Sequence, residues 1–254
     1  MNIKREVENR PVMTGRRHFL GSVAVGIPLV SGVLGEIARV PAPAAAAARS
    51  FPLLSPEEVE ARFTIIEAAT HLGKRGLRVV EADQVPSYSG TLVKGSQMLD
   101  GAIEVELAGR PREGAHEGSR GFVGIAFRVH PDAGQFEAFY LRPTNGRADD
   151  QLRRNHSTQY ISHPGYPWHK LRAESPGVYE SYVDLVTGEW TRMRIEVEGR
   201  KARLFVHGAA QPCLIVNDMK QEPRPGVVAL WIGQGTEAFF RNLRITAKEQ
   251  GRNG

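Results

Sequence analysis

Gly121-Phe122-Val123-Gly124-Ile125-Ala126-Phe127-Arg128-Val129 and, after a short break, Phe136-Glu137-Ala138-Phe139-Tyr140-Leu141-Arg142 are the stretches that decide the fold. Successive side chains of a strand point to opposite faces, so alternation assigns the faces directly. In the first stretch Val123, Ile125, Phe127 and Val129 share one face, and Gly124, Ala126 and Arg128 share the other. In the second, Phe139 and Leu141 face one way while Ala138, Tyr140 and Arg142 face the other. The apolar sets read as a sandwich core. The remaining sets combine small residues with an aromatic ring and arginines. Such a face either leaves room above the sheet, lined by Tyr140 and Arg142, or is simply solvated.

Working outward, residues 77–81, 102–107, 193–197, 202–207, 227–232 and 239–246 are further runs rich in β-branched and aromatic residues. Glycine, proline and asparagine turns separate them. Strands this dense, with no helical periodicity between them, predict an all-β sandwich or jelly roll. Ser55-Pro56-Glu57-Glu58 supplies an N-cap and an acidic first turn, and predicts a short helix ending before Gly73.

The 254 residues are 41% hydrophobic and 24% charged, which excludes collagen-like, coiled-coil and mostly disordered chains. The lone Cys213 excludes an intramolecular disulfide framework and any cysteine-based zinc or iron–sulfur site. Of the net charge of +5, the first 48 residues hold six basic and three acidic side chains, so the remainder carries only +2. Charge is therefore no argument for a nucleic-acid partner.

Thr14-Gly15-Arg16-Arg17-His18-Phe19-Leu20-Gly21 resembles the bacterial twin-arginine export signal. The apolar stretch 22–34 is too short and glycine-rich to span a bilayer comfortably, and the alanine run 44–48 offers small-residue cleavage sites. The competing reading is a buried amphipathic helix preceded by two incidental arginines. The order of the features predicts a processed signal over 1–48, an N-terminal segment over 49–74, the sandwich domain over 75–247 and a tail over 248–254. The mature chain is then periplasmic or secreted, with no integral membrane span. No dinucleotide fingerprint, P-loop or haem motif is present in the sequence, and no cofactor is expected.

Residues 144–190 form a long polar excursion, which in a compact domain is usually functional or disordered; its aromatic content argues against disorder. Planar rings beside paired hydrogen-bonding groups suit a pyranose, with its apolar C–H face and rim of hydroxyls. The substrate-binding candidates are Tyr140, Arg142, Asn145, Arg147, Asn155, Gln159, Tyr160, Trp168 and Arg172. Tyr166 and Trp168, flanked by prolines, have the alternative role of pinning the loop to the sandwich. His156, His163 and His169 match no metal-ligand spacing, and Asp149-Asp150 suits an Asx turn or an ion pair with Arg147 or Arg154 better than calcium. Among the carboxylates Glu137, Glu180, Asp184 and Asp218, none declares an acid/base pair of the kind glycoside hydrolysis requires.

The pattern resembles the concanavalin A-like lectin/glucanase superfamily, and within it the exported 3-keto-disaccharide hydrolase domains. The likeness covers roughly 75–246. It rests on Gly90-Thr91-Leu92, Asp100-Gly101-Ala102-Ile103-Glu104-Val105, the two opening stretches, Gly188-Glu189-Trp190-Thr191-Arg192-Met193-Arg194-Ile195, Arg203-Leu204-Phe205-Val206-His207-Gly208, Gly226-Val227-Val228-Ala229-Leu230-Trp231-Ile232 and Phe240-Arg241-Asn242-Leu243-Arg244-Ile245. The resemblance implies a jelly-roll sandwich of two antiparallel sheets with a concave face for saccharides. The Glu-x-Asp-x-x-Glu strand motif of family 16 glycoside hydrolases is absent. If the substrate is a 3-keto sugar, its carbonyl acidifies the neighbouring C–H, and one base suffices. His156, Glu180 and His169 are the candidate bases, with Arg142 and Arg172 to stabilise negative charge. A non-catalytic lectin-like module using Tyr140, Tyr160 and Trp168, or a structural protein of the cell envelope, are the competing readings. Oligomeric state is not legible.

Overall fold

The computed structural model describes residues 48–82, 89–130 and 134–248. The predicted export signal lies outside them except for Ala48, as does the tail beyond Lys248. The chain runs through β1 (Ala48–Phe51), a 3-10 turn (Pro56–Glu58), β2 (Val59–Arg62), β3 (Thr64–His71), β4 (Lys74–Glu81), β5 (Ser89–Val93), β6 (Gly101–Pro111), β7 (Val123–His130) and β8 (Gln135–Leu141). A second 3-10 turn (Pro143–Asn145) leads to α1 (Gln151–Asn155), β9 (Thr158–His163), α2 (Trp168–Glu174) and β10 (Glu180–Ser181). The remainder is β11 (Thr191–Glu198), β12 (Lys201–Val206), β13 (Leu214–Val216), β14 (Val227–Ile232) and β15 (Thr236–Ala247).

Two antiparallel sheets result. One has the order β13-β12-β11-β6-β15-β4-β3, with β1 also on β15; the other is β10-β9-β8-β7-β14-β5-β2. Ile103, Val105, Leu107, Ile195, Leu204 and Phe240 of the first sheet meet Val123, Ile125, Phe127, Phe139, Leu141 and Leu230 of the second in one core. On β11, buried and more exposed positions alternate, as a strand with one wet face should. On β7 and β8 nearly every residue is buried, so their outer face is covered too.

That cover is the first departure from the sequence reading. Ala126, Ala138 and Ala229 lie under a second apolar cluster with Leu92, Val129 and Phe136. The small residues in mid-sheet are packed, and they are neither an open groove nor a solvated face. Val129 belongs to this outer cluster and not to the core. A bulge between Phe127 and His130 shifts the β7–β8 register, with Arg128 at φ 52°, and the extra residue reverses the alternation beyond it. Arg128 is 3% exposed and turns off the outer face, donating to Leu99 O, Asp100 Oδ1 and Gly199 O.

The N-terminal helix is a single 3-10 turn capped by Ser55 and Glu58. Residues 59–71, expected to continue it, are strands in opposite sheets. Val59, Thr64, Ile65, Ile66 and Thr70 are β-branched, and Leu72-Gly73, both at positive φ, close the β3–β4 hairpin. All eight strands expected from the sequence are present. Those it did not assign are short or lie at sheet edges, apart from β9, which is flanked by β8 and β10.

One glycine bears on the site. Gly124 of β7 lies opposite Tyr140 of β8 and opposite Trp231 of β14. With no side chain between them, these two rings close over it, their centroids 4.5 Å apart. A Cβ at Gly124 would stand 2.2 Å from Phe139 O and 2.6 Å from Tyr140 Cα. Gly124→Ala is expected to cost about 1–3 kcal/mol, seen as a lower urea midpoint at unchanged slope.

Candidate functional site

Register places one residue from each of five adjacent strands in a row. Glu180 of β10 lies opposite Gln159 of β9, Gln159 opposite Tyr140, Tyr140 opposite Gly124, and Gly124 opposite Trp231. Directly opposed residues share a face, so all five belong to the outer face of the second sheet. Arg142, two residues beyond Tyr140, joins them by the same period. The excursion then folds over the β8–β9–β10 end of this row, bringing His156 from the C-cap of α1 and Trp168 and Arg172 from α2.

Glu180 is the hub. Its side chain is 3% exposed, and Arg172 grips it with Nε at 3.0 and 3.1 Å and Nη2 at 2.6 Å. Arg142 Nη1 is 3.8 Å from Oε2, and His156 Nε2 is 3.1 Å from Oε1. Arg142 is fixed in turn. Its Nη2 donates to Tyr140 OH and Gln159 Oε1, both at 3.0 Å, and its Nη1 donates to His156 O at 3.0 Å. Gln159 completes the frame by donating to the Tyr160 and Tyr179 carbonyls. Trp168 lies over the charged pair, 4.8 Å from the Arg172 guanidinium carbon and 5.8 Å from that of Arg142, with 44% of its surface exposed.

Two arginines and one carboxylate make the cluster net positive. Burial depresses the His156 pKa below its ordinary 6.5; the Glu180 charge opposes this, and Arg172 and Arg142 reinforce it. The imidazole is therefore neutral at pH 7. The facing carboxylate favours the tautomer protonated at Nε2, which leaves the lone pair on Nδ1. Glu180, by contrast, has both oxygens held by arginine. It orients and balances charge, and it is poorly placed to take a proton itself. Burial raises the Tyr140 phenol, which stays protonated beside Arg142.

The structure therefore gathers Tyr140, Arg142, Asn145, His156, Gln159, Trp168, Arg172 and Glu180. Asn145 joins through Nδ2, which donates to His156 O at 3.1 Å. Asn155 is exposed and shares with His156, Arg172 and Glu180 a concavity of about 640 Å³. The other expected residues fall elsewhere. Tyr160 is a correction: it is fully buried on the core face, its hydroxyl donating to Glu137 Oε2 at 2.5 Å, so it presents no ring to a ligand. One step along β9 from Gln159, it has to point the opposite way. Arg147 makes a paired contact at 2.8 Å with Asp184 on the surface. His169 is exposed and meets the edge of Trp168, apart from the carboxylate. Tyr166 packs against the core and pins the loop, a role Trp168 does not share.

The remaining carboxylates are dispersed. Glu137 is core-facing and fully buried, which raises its pKa, while Asp218 pairs with Lys220 and Tyr179. Among the described residues no group of three or more His, Cys, Asp or Glu is placed to hold a metal ion. Nor is any described helix long and apolar enough to cross a membrane. Three residues of the site region escaped the sequence reading. Trp231 stacks on Tyr140, and Arg120 and Arg153 line a cavity of about 250 Å³ with His156, Trp168 and Arg172. Trp231 was legible as in phase with Ala229 on its strand; the two arginines carried no sequence signal.

No protein-family model matches the chain, and no curated protein matches it either. Solved structures do. The carbohydrate binding module CBM66 from Bacillus subtilis superposes with a TM-score of 0.51 at 11% identity, over 74% of this chain and 95% of that one. A Parabacteroides distasonis protein described only as a candidate glycosyl hydrolase gives 0.51 at 12% identity, over 79% and 100%. A Crh5 transglycosylase solved in complex with NAG gives 0.50 at 11% identity, over 81% and 86%. At these identities the likeness is one of fold: a jelly-roll sandwich of two antiparallel sheets.

Proposed function

We propose that the chain is an exported carbohydrate-active protein that binds a glycoside over the 142–180 excursion and cleaves it, with 3-keto-glycosides the best-suited substrates. One observation carries this reading. A neutral imidazole, His156, faces a buried carboxylate held by two arginines, beside a half-exposed indole. The saccharide-related proteins that share the fold support it by analogy only, and the twin-arginine pattern near the N-terminus supports export.

The chemistry needs one base. In a 3-keto-glycoside the carbonyl acidifies the C2–H bond. His156 Nδ1 takes that proton, and the electron pair moves to the C3 oxygen as an enolate. Arg172 stabilises this charge through Nη1, which takes no part in its grip on Glu180. Collapse of the enolate breaks the C1–O bond, and the imidazolium returns the proton to the departing oxygen. The products are a free aglycone and an unsaturated keto sugar. Two carboxylates on opposite sides of the bond are not required, which suits a site holding one.

The test is incubation of the protein with matched glycosides and their 3-keto derivatives, followed by mass analysis of products. Aglycone release from the keto series supports the reading; intact substrate after long incubation overturns cleavage. Saturable binding without product would instead favour a lectin-like module, a reading favoured by the exposure of Trp168. In either case Trp168→Ala is expected to weaken saccharide binding about tenfold, read by calorimetry, since a stacked ring contributes on the order of 1 kcal/mol.

A further inference from the structure

We propose, resting on the reading of this site as a saccharide site, that its ligand carries an oxyanion substituent, carboxylate or sulfate, seated between Arg120 and Arg153 in the cavity beside His156. Four guanidinium groups line that cavity: Arg120, Arg142, Arg153 and Arg172. Glu180 faces Arg172 and Arg142 and offsets one of their two charges. Among the described residues no carboxylate lies within ion-pairing distance of the other two.

Arg120 Nη1 donates only to backbone carbonyls, Glu117 O at 2.6 Å and Ser119 O at 3.0 Å. Arg153 Nε is buried without a hydrogen-bond partner. The like charges act on one another: burial first, then Arg153, depress the pKa of Arg120; Glu117 opposes this, and Arg142 adds to the depression more weakly. A concave site that gathers an excess of positive charge, only partly offset by Glu117 near Arg120, concentrates anions, and planar guanidinium forks match carboxylate and sulfate oxygens.

The same wall carries an unmet acceptor. Asn145 is 4% exposed and donates through Nδ2 to His156 O, while its Oδ1 has no donor. A sugar hydroxyl supplies that donor, and an isolated inorganic sulfate does not. Donors for an oxyanion, an acceptor for a hydroxyl and an indole for a ring face converge on an acidic sugar.

The experiment is calorimetric titration at low salt with three trisaccharides matched in length: one neutral, one containing a uronate, one sulfated. Sodium sulfate is titrated alone. We expect at least one charged trisaccharide to bind about 30-fold tighter than the neutral one. That preference should fall to about threefold in Arg120→Gln/Arg153→Gln and to an intermediate value in Arg120→Gln alone, which guards against misfolding of the double variant. Which charged sugar wins separates carboxylate from sulfate. Equal binding of neutral and charged sugars, or a preference unchanged in both variants, overturns this proposal and leaves the saccharide reading standing. Sodium sulfate binding as tightly as the sulfated sugar overturns the sugar-linked form. Failure of every trisaccharide to bind overturns both.

Discussion

Glu180→Gln is expected to lower stability by about 3 kcal/mol and to abolish turnover, the largest effect of any single substitution in the site. Removing one partner of a buried ion pair costs about 3–5 kcal/mol, because the surviving charge stays desolvated. Here Glu180 is 3% and Arg142 6% exposed at the side chain, so that penalty applies to Arg142. Arg172 is 31% exposed and regains water, which argues for the lower end. For a domain of this size the melting temperature should fall by about 6–12 °C in a circular dichroism melt. Arg172→Gln should cost less, since Arg142 and His156 still face the carboxylate. A Glu180→Gln shift under about 2 °C would mean that the carboxylate is no hub.

His156→Gln is expected to reduce turnover about 10²–10⁴-fold while leaving the melting temperature within a few degrees, the usual loss for a general base. The wild-type rate should rise with pH along an acid limb centred below 6.5, then level off by neutrality. The sign follows from the lowered pKa: only the unprotonated imidazole accepts the C2 proton, and burial extends that form to lower pH. The same shift bears on stability. Between 6.5 and the depressed value the unfolded chain binds more protons than the folded one, so stability falls as the pH drops through that window. Asp150, Arg142 and Arg172 also act on this ring. The glutamine variant should lose the acid limb along with its rate. A profile unchanged by the substitution would assign the proton transfer elsewhere.

Much of the site could be read from strand period alone. Tyr140 and Arg142 fell on the outer face because Phe139 and Leu141 had to be inside, and the core confirms that phase. Gln159 and Tyr160 show where the reading stopped short. Adjacent residues of a strand cannot both face one ligand, but β9 lies within a polar excursion that gives only a modest strand signal, so sequence alone does not separate the two. Arg147 and His169 matched the desired chemistry by type. Their positions, on a surface ion pair and on the exposed side of a short helix, follow from loop geometry that carries no periodic signal.

The sequence by itself determined the sandwich architecture and the inner faces of β7, up to its bulge, and of β8. It could do so because alternation and turn residues are local, and a strand's phase follows from a few consecutive side chains. The tertiary structure decided which of the excursion's polar residues meet. The row from Glu180 to Trp231 joins residues as much as 107 positions apart, and no local pattern specifies that register. It also decided that the small outer residues would be covered, that one bulge at Arg128 would reverse the face of Val129, and that four arginines from separate segments would line one cavity. Those are consequences of long-range packing and of charges brought close in a poorly solvated place, where distance and burial, and not residue type, set what a side chain can do.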